Sequence, residues 1–259
     1  MNDSPLVLGL DVGTTTCKAA LFDLERPAQA VAVARKDSVT HHPRPGWSEA
    51  DPHAVAESVL DCIREVVQRY DTQRIAAIGI SGTACGAWLI DHNGHPTRPA
   101  ILWNDGRAAD VVAGWQADGT IATIFERTGN IPFPGYTLPE MIWLAANEPE
   151  SLAAARTVLF CKDWVRFILT GARVTDSSEA SYVPFDIRRR AWDLELFELC
   201  GAGEQTRLLP EIVADDATFP LLASAAEATG LQPGTPVAMG ATDIVAAVLG
   251  GGEPFPVRQ

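Results

Sequence analysis

The chain is poor in positive charge: 20 Lys and Arg stand against 33 Asp and Glu in 259 residues, a formal net charge of −13. Such a field repels a nucleic-acid backbone and an anionic bilayer alike, so no nucleic acid and no membrane is an expected partner. The one basic run, Arg188-Arg189-Arg190, lies beside Asp186 and Asp193 and reads as a solvated turn. Cysteine is scarce and unpatterned. Its five positions, Cys17, Cys62, Cys85, Cys161 and Cys200, are odd in number and lack C-x-x-C spacing, which argues against a disulfide framework or a zinc site. The five histidines form no H-E-x-x-H array, so no protein-only transition-metal site is expected. No apolar stretch approaches bilayer length, and the opening Met-Asn-Asp-Ser-Pro has neither a basic region nor an apolar one after it, so the expected location is cytoplasmic. Repeats and low-complexity tracts are absent too. What is present is a hydrophobic content of 47%, enough for a full core in one large domain or in a main domain with a helical insertion.

The most informative segment runs from Leu8 to Asp23. Leu6, Val7, Leu8 and Leu10 suit a buried strand, and Ala19 to Phe22 suit its hairpin partner. The turn between them gathers groups that hold phosphate. Gly13 lets backbone approach an oxyanion closely, and Thr14 and Thr15 offer hydroxyl and N–H donors. Asp11 at the strand end can hold a hydrated Mg²⁺ facing those phosphates, and Lys18 adds a positive charge. An ordinary hairpin would use the same Gly and Thr residues for the turn alone. The segment is neither a Walker loop nor a dinucleotide glycine fingerprint. It resembles the first phosphate motif of the superfamily that holds sugar kinases, heat-shock ATPases and actin.

Further along, Ala30 to Val33 suits a third strand, and Asp51-Pro52 is an N-cap followed by proline at the first helical position. Val55, Val59, Ile63, Val66, Val67 and Tyr70 recur at helical spacing, predicting a helix to about Arg69. Ile75 to Ile80 reads as a buried strand with a turn at Ser81-Gly82-Thr83, and Ala87 to Ile90 and Pro99 to Trp103 read as further strands. From about Ala108 to Leu199 the pattern is mainly helical. Thr137-Leu-Pro-Glu140 fits a capping box, and a helix from Asp163 to Thr170 stops at Gly171. Helix Ala223 to Thr229, strand Pro236 to Gly240 and a small-residue helix from Asp243 to Leu249 close the pattern. Alternation of strand and helix predicts an α/β fold.

Three more segments complete the constellation: Gly46-Trp-Ser-Glu-Ala-Asp-Pro52; Ile78-Gly-Ile-Ser-Gly82 with Ala100-Ile-Leu-Trp-Asn-Asp-Gly-Arg107; and Gly240-Ala-Thr-Asp243. In this order and spacing the chain resembles the N-terminal half of the FGGY carbohydrate kinases, with segment 98–107 similar to xylulokinase-type members. Thr83, Ala84 and Cys85 depart from the Gln-Met-His those enzymes carry there. The resemblance implies a ribonuclease H-like domain over residues 1–250 with a helical insertion over about 108–230. Residues 251–259 would begin the link to a C-terminal ATP-binding domain.

It also implies transfer of the γ-phosphoryl group of ATP, with Mg²⁺, to a hydroxyl of a small sugar or polyol of the pentulose, pentitol or tetritol class. Asp243 matches the family's catalytic base, although by position alone it is a plain N-cap. Trp103 offers an apolar face to sugar C–H groups, and Asn104, Asp105 and Arg107 offer directed hydrogen bonds. Core packing for Trp103 and helix capping for Asp105 are the competing readings, and the density of the resemblance favours ligand contact for Asp105 and Arg107. Tyr136 falls where relatives place an aromatic over the substrate, and Thr83 and Cys85 fall where relatives contact the sugar. Glu49 and Asp51 read as loop and cap rather than a carboxylate pair, and the cluster from Asp176 to Ser181 as a helix cap. Two other readings stay open: a silent sugar-binding or regulatory module, and an actin-like or heat-shock-type ATPase. A half-kinase would expose an apolar cleft face, so a homo-oligomer or a partner domain is expected.

Overall fold

A computed structural model describes residues 4–251. The chain opens with β1 (Leu6–Val12), β2 (Thr16–Asp23) and β3 (Arg26–Asp37), then β4 (Glu49–Ala50), α1 (Pro52–Val67), β5 (Ile75–Gly82), β6 (Trp88–Ile90) and β7 (Ala100–Ile101). A mainly helical excursion follows: α2 (Ala109–Asp118), α3 (Thr120–Thr128), α4 (Thr137–Asn147), α5 (Pro149–Ala154), β8 (Thr157–Leu159), α6 (Cys161–Thr170), β9 (Val174–Thr175), α7 (Ser177–Ala180), β10 (Phe185–Asp186), β11 (Ala191–Trp192), α8 (Leu194–Leu199) and β12 (Glu211–Ile212). The chain then returns through β13 (Thr218–Pro220), α9 (Ala223–Thr229), β14 (Pro236–Ala238), β15 (Ala241–Thr242) and α10 (Asp243–Gly250).

The main sheet runs β13-β14-β5-β1-β2-β3, with β15 also paired to β5. β1, β2 and β3 are antiparallel to their neighbours in turn, whereas β14, β15 and β1 all run parallel to β5. Strand β1 alternates buried and half-buried residues because its side chains point to opposite faces, and Leu6, Leu8 and Leu10 enter the core. Helix α1 starts where Asp51 accepts a hydrogen bond from His53 N at 2.9 Å, with Pro52 pre-set for the first turn. Its Val59, Ile63 and Val66 share one core with Ile78 and Ile80 of β5 and Val165 and Leu169 of α6. Each such aliphatic side chain contributes roughly 1.5–3 kcal/mol on burial. Two smaller cores involve the excursion, one of them shared with Leu89 of β6 and Ile101 of β7, and α4 serves both, Met141 and Leu144 entering that one and Leu138 the other.

Several expectations need correction. β3 runs from Arg26 to Asp37, far beyond Ala30–Val33, and as the edge strand it tolerates Pro27. Ser81 and Gly82 belong to β5 instead of forming a turn. Helix α4 forms, but not by a capping box: the Thr137 hydroxyl donates to Gly86 O at 2.7 Å, and Glu140 is buried. The excursion rejoins the sheet at Thr218, earlier than the expected limit near 230. Of the expected link over residues 251–259, all but Gly251 lie outside the described residues. Among the described residues, no helix is long and apolar enough to cross a membrane.

Candidate acceptor and phosphate site

Strand register brings the candidate residues together. Asp11 stands opposite Ser81, and Val12 opposite Gly82; on the other side of β5, Thr242 also stands opposite Gly82. The carboxyl ends of β1, β5 and β15 therefore finish at one level. The loops leaving them carry the phosphate turn, the Thr83–Cys85 turn and Asp243. Open α/β sheets place ligands outside the carboxyl ends of their strands for this reason. Gly240 makes the third strand possible, because at φ +79° it lets the chain step from β14 to β15, and a Cβ there would sit 2.2 Å from Ile80 O.

The phosphate turn is held from below. Gly13 N donates to Thr16 O at 3.0 Å and Ser38 N to Thr15 O at 2.9 Å, while the Ser38 hydroxyl bonds Gly13 O and that of Thr40 bonds Thr14 O. Thr15 is left exposed and Thr14 half-buried. Asp11 and Lys18 face each other across the hairpin, Nζ to Oδ2 3.3 Å, with side chains 47% and 43% exposed. An anion arriving here meets backbone and a half-exposed lysine paired to a carboxylate still open to solvent.

Next to it lies an open pocket of about 220 Å³. Thr83, Ala84 and Cys85 line one side; Trp103, Phe133 and Tyr182 supply aromatic faces; Asp243 and Ile244 close it. Trp103 is 43% exposed, and its backbone is pressed against Gly135, where a Cβ would fall 1.7 Å from Trp103 O. Only glycine permits that approach. Asn104 is exposed beside it but does not line this pocket. Tyr136, expected over the substrate, is 8% exposed and stands behind the wall, edge-on to Phe133 and Tyr182 at 4.5 and 5.6 Å between ring centroids. Cys85 holds a left-handed φ of +65°, unusual for a side-chain-bearing residue. Burial, together with Glu179, Glu140 and Asp243, pushes its thiol well above the ordinary range, so it stays protonated. Asp243 is half-buried at the first turn of α10, and its Oδ1 accepts from Ile244 N at 2.7 Å.

A dry ion cluster lies beneath. Lys162, at the start of α6, packs against Gly82 and contacts Asp163 at 2.7 Å and Asp176 at 3.0 Å, and Arg166 contacts Asp163 at 2.6 Å. Burial pushes Lys162 toward losing its proton, but the surrounding carboxylates outweigh it and raise its pKa. Burial likewise pushes Asp163 up, and Lys162 and Arg166 outweigh it, so it is held below the usual range. Two threads connect this cluster to the pocket. Ser178 Oγ donates to Asp176 at 2.7 Å and accepts from Thr242 N at 3.1 Å, one residue before Asp243. Glu179 accepts from Cys85 N at 3.4 Å, and burial drives its carboxyl well above the ordinary range, toward the protonated form.

Asp105 and Arg107, favoured as ligand contacts, are withdrawn into a second cluster with side chains fully buried. Asp105 accepts from Ser48 N at 2.6 Å and from Arg107 Nη2 at 2.8 Å; Arg107 also bonds Glu49 and stacks 3.9 Å over the Trp47 ring. Arg98 joins Glu49 to Glu148. Their place is behind the loop that presents Trp103. Asp176 does cap α7 as expected, through Glu179 N, but it also carries the Lys162 ion pair. Phe133, Tyr182 and Ile244 were not singled out from sequence, and Ala84 was marked only as a departure from the relatives' motif. They reach the pocket through tertiary packing, and the aromatics alone carried a signal.

A parallel-centred sheet with a phosphate turn and a carboxylate at converging strand ends defines a domain of the actin and hexokinase type. The chain belongs to the FGGY family of carbohydrate kinases: the model of that family's N-terminal domain matches residues 6–250. It is 36% identical over 256 residues to an erythritol kinase of Brucella abortus, covering 95% of this chain and 48% of that protein. A xylulose kinase of Escherichia coli is 31% identical over 249 residues, 95% of this chain and 50% of that one. The crystal structure of xylulose kinase from Rhodospirillum rubrum superposes with a TM-score of 0.89 at 30% identity, covering 97% of this chain and 51% of that one. The chain thus spans about half the length of the curated relatives it matches.

Proposed function

We propose that the chain is the acceptor-binding half of an ATP-dependent kinase that phosphorylates a hydroxyl of a small sugar or polyol of the pentulose, pentitol or tetritol class. The observation that carries the reading is the meeting of phosphate turn, pocket and Asp243 at the level ends of three strands. Asp243 lines the pocket and takes the proton of the attacking hydroxyl as the oxygen bonds phosphorus. Trp103, Phe133 and Tyr182 stack on the carbon skeleton, and Thr83 offers a hydroxyl to orient it. Gly13, Thr14, Thr15 and Lys18 receive the nucleotide's phosphates. Among the described residues, no group of three or more acidic, His or Cys side chains is placed to cage a metal. Asp11, one half-exposed carboxylate, instead suits Mg²⁺ that arrives on the nucleotide and keeps most of its waters. Bound Mg·ATP would supply the transferable γ-phosphoryl group and neutralise the charge that develops on it.

The second wall of the cleft comes from a further domain or a second copy of the chain, which would shelter the exposed Ile244, Val248 and Leu249 of α10. The deciding experiment is ADP release from Mg·ATP over a panel of ketoses and polyols, with Asp243→Asn as control, on the chain joined to its second wall. Acceptor-dependent turnover that drops about 10²- to 10⁴-fold in the variant is expected. Hydrolysis indifferent to acceptor would favour an actin-like ATPase, and binding without turnover a silent module.

A further inference from the structure

The turn that carries Thr83 and Cys85 is held at its ends by backbone and in its middle by one side chain. Thr83 N donates to Val12 O at 3.1 Å, and Gly86 N to Gly135 O at 3.2 Å. Between them Cys85 holds φ +65°, a region that costs a side-chain-bearing residue energy, and its N donates to Glu179 Oε2 at 3.4 Å. Glu179 stands fully buried in α7, behind the pocket. Asp176 Oδ1 accepts from its N at 2.9 Å, and its own backbone O accepts from Tyr182 N at 3.0 Å, so it touches both the Cys85 and the Tyr182 sides of the pocket. Its Oε1 is buried without a hydrogen-bond partner, which suits a neutral acid better than a carboxylate. Burial, helped by Asp163 and Asp176, outweighs the pull of Lys162 and keeps the group protonated.

Resting on the kinase reading above, we infer that Glu179 is a positioning residue that sets acceptor affinity, holding the left-handed Cys85 turn from behind without touching the ligand. The proposed base is held separately. Ser178, the preceding residue, steadies Thr242 N beside Asp243, whereas Glu179 steadies the wall that carries Thr83 and Cys85. Two adjacent residues of one short helix therefore act on different quantities, Ser178 on the chemical step and Glu179 on acceptor binding.

The test compares Glu179→Leu and Glu179→Gln on the chain joined to its second wall, with erythritol, xylitol and xylulose as acceptors. Leucine fills the dry space but accepts no hydrogen bond, so KM for the acceptor should rise about tenfold while kcat at saturation changes by less than about twofold. Glutamine keeps an uncharged acceptor oxygen for Cys85 N and should hold KM within about twofold of the wild type. A folded Glu179→Leu variant with unchanged KM, or one whose kcat falls as far as its KM rises, would overturn the inference and leave the kinase reading intact, because a merely structural role would move both constants together. A Glu179→Gln variant as impaired as Glu179→Leu would overturn it too. Should Glu179→Leu fail to fold, Glu179→Asp, one methylene short of Cys85 N, carries the same expected rise, and an unchanged KM there counts equally against the inference. Wild-type turnover indifferent to the acceptor would overturn the kinase reading and this inference together.

Discussion

The ion cluster around Lys162 is dry throughout, with Lys162, Asp163, Arg166 and Asp176 side chains at most 1% exposed, whereas the cluster around Arg107 opens to solvent at Glu148, 29% exposed. The two do different work. The dry cluster abuts Gly82 and, through Ser178, the backbone just before Asp243, so it fixes strand ends and the proposed base. The wetter one ties the Trp103 loop to Ser48 and Glu49, so it fixes one wall. Where water cannot reach, a lost partner leaves an uncompensated charge; where it can, hydration offsets part of the loss.

Removing one cation from each cluster breaks that comparison most severely. Lys162→Met should cost about 3–5 kcal/mol in urea denaturation, because Asp176 would stay buried without its ion-pair partner and Asp163 would keep only Arg166. Arg107→Met should cost less, about 2 kcal/mol, with Glu148 hydrated, Arg98 still holding Glu49 and buried Asp105 keeping the hydrogen bond from Ser48 N; Trp103 emission should shift and quench more readily. Equal losses would dissolve the distinction between dry and wet.

Glu140 sharpens it from the opposite side. Both carboxyl oxygens are buried without a hydrogen-bond partner. Burial first, then Asp105, drives this carboxyl well above its ordinary pKa against the pull of Arg107 and Arg98. A folded-state pKa raised above the unfolded value means the folded chain holds a proton that the unfolded chain releases. Stability from this group is therefore complete below the ordinary glutamate range, near pH 4, and falls as pH rises toward the folded value. Glu140→Met removes that slope and should gain about 1–3 kcal/mol at pH 8, shrinking toward pH 4, in thermal melts across pH. The smallest expected change in stability is Ser178→Ala, about 1 kcal/mol. Its effect should surface instead as a lower kcat at constant KM, since the hydroxyl steadies Thr242 N beside the proposed base.

Local pattern revealed the hairpin, the Asp51-Pro52 start of α1 and the Gly171 stop of α6, because each is decided by residues a few positions apart. β3 was half hidden, since as an edge strand most of its residues face water and carry little alternation. Thr137 and Glu140 fit a capping pattern, yet the hydroxyl found Gly86 O across the fold instead. Lys162, Asp163 and Arg166 carried no signal of burial in the sequence, because Asp176 and Glu179 arrive from later elements. In the site, the motif positions landed near one another, but motif matching could not distinguish Trp103, which faces the pocket, from Asp105 and Arg107, which hold its loop from behind.

Strand β5 lies between β1 on one side and β14 and β15 on the other, with Ile78 wholly buried, while α10 leaves Leu249 74% exposed and Ile244 62% exposed. In hydrogen exchange, the amides of β5 should open only with global unfolding, and those of α10 by local fraying. Asp243 sits on the seam. On that outcome its anchor through Thr242 would belong to the slow-exchanging part of the molecule and its helix to the fast one, so the proposed base could be held in register on one side while its other side adjusts on a far shorter timescale.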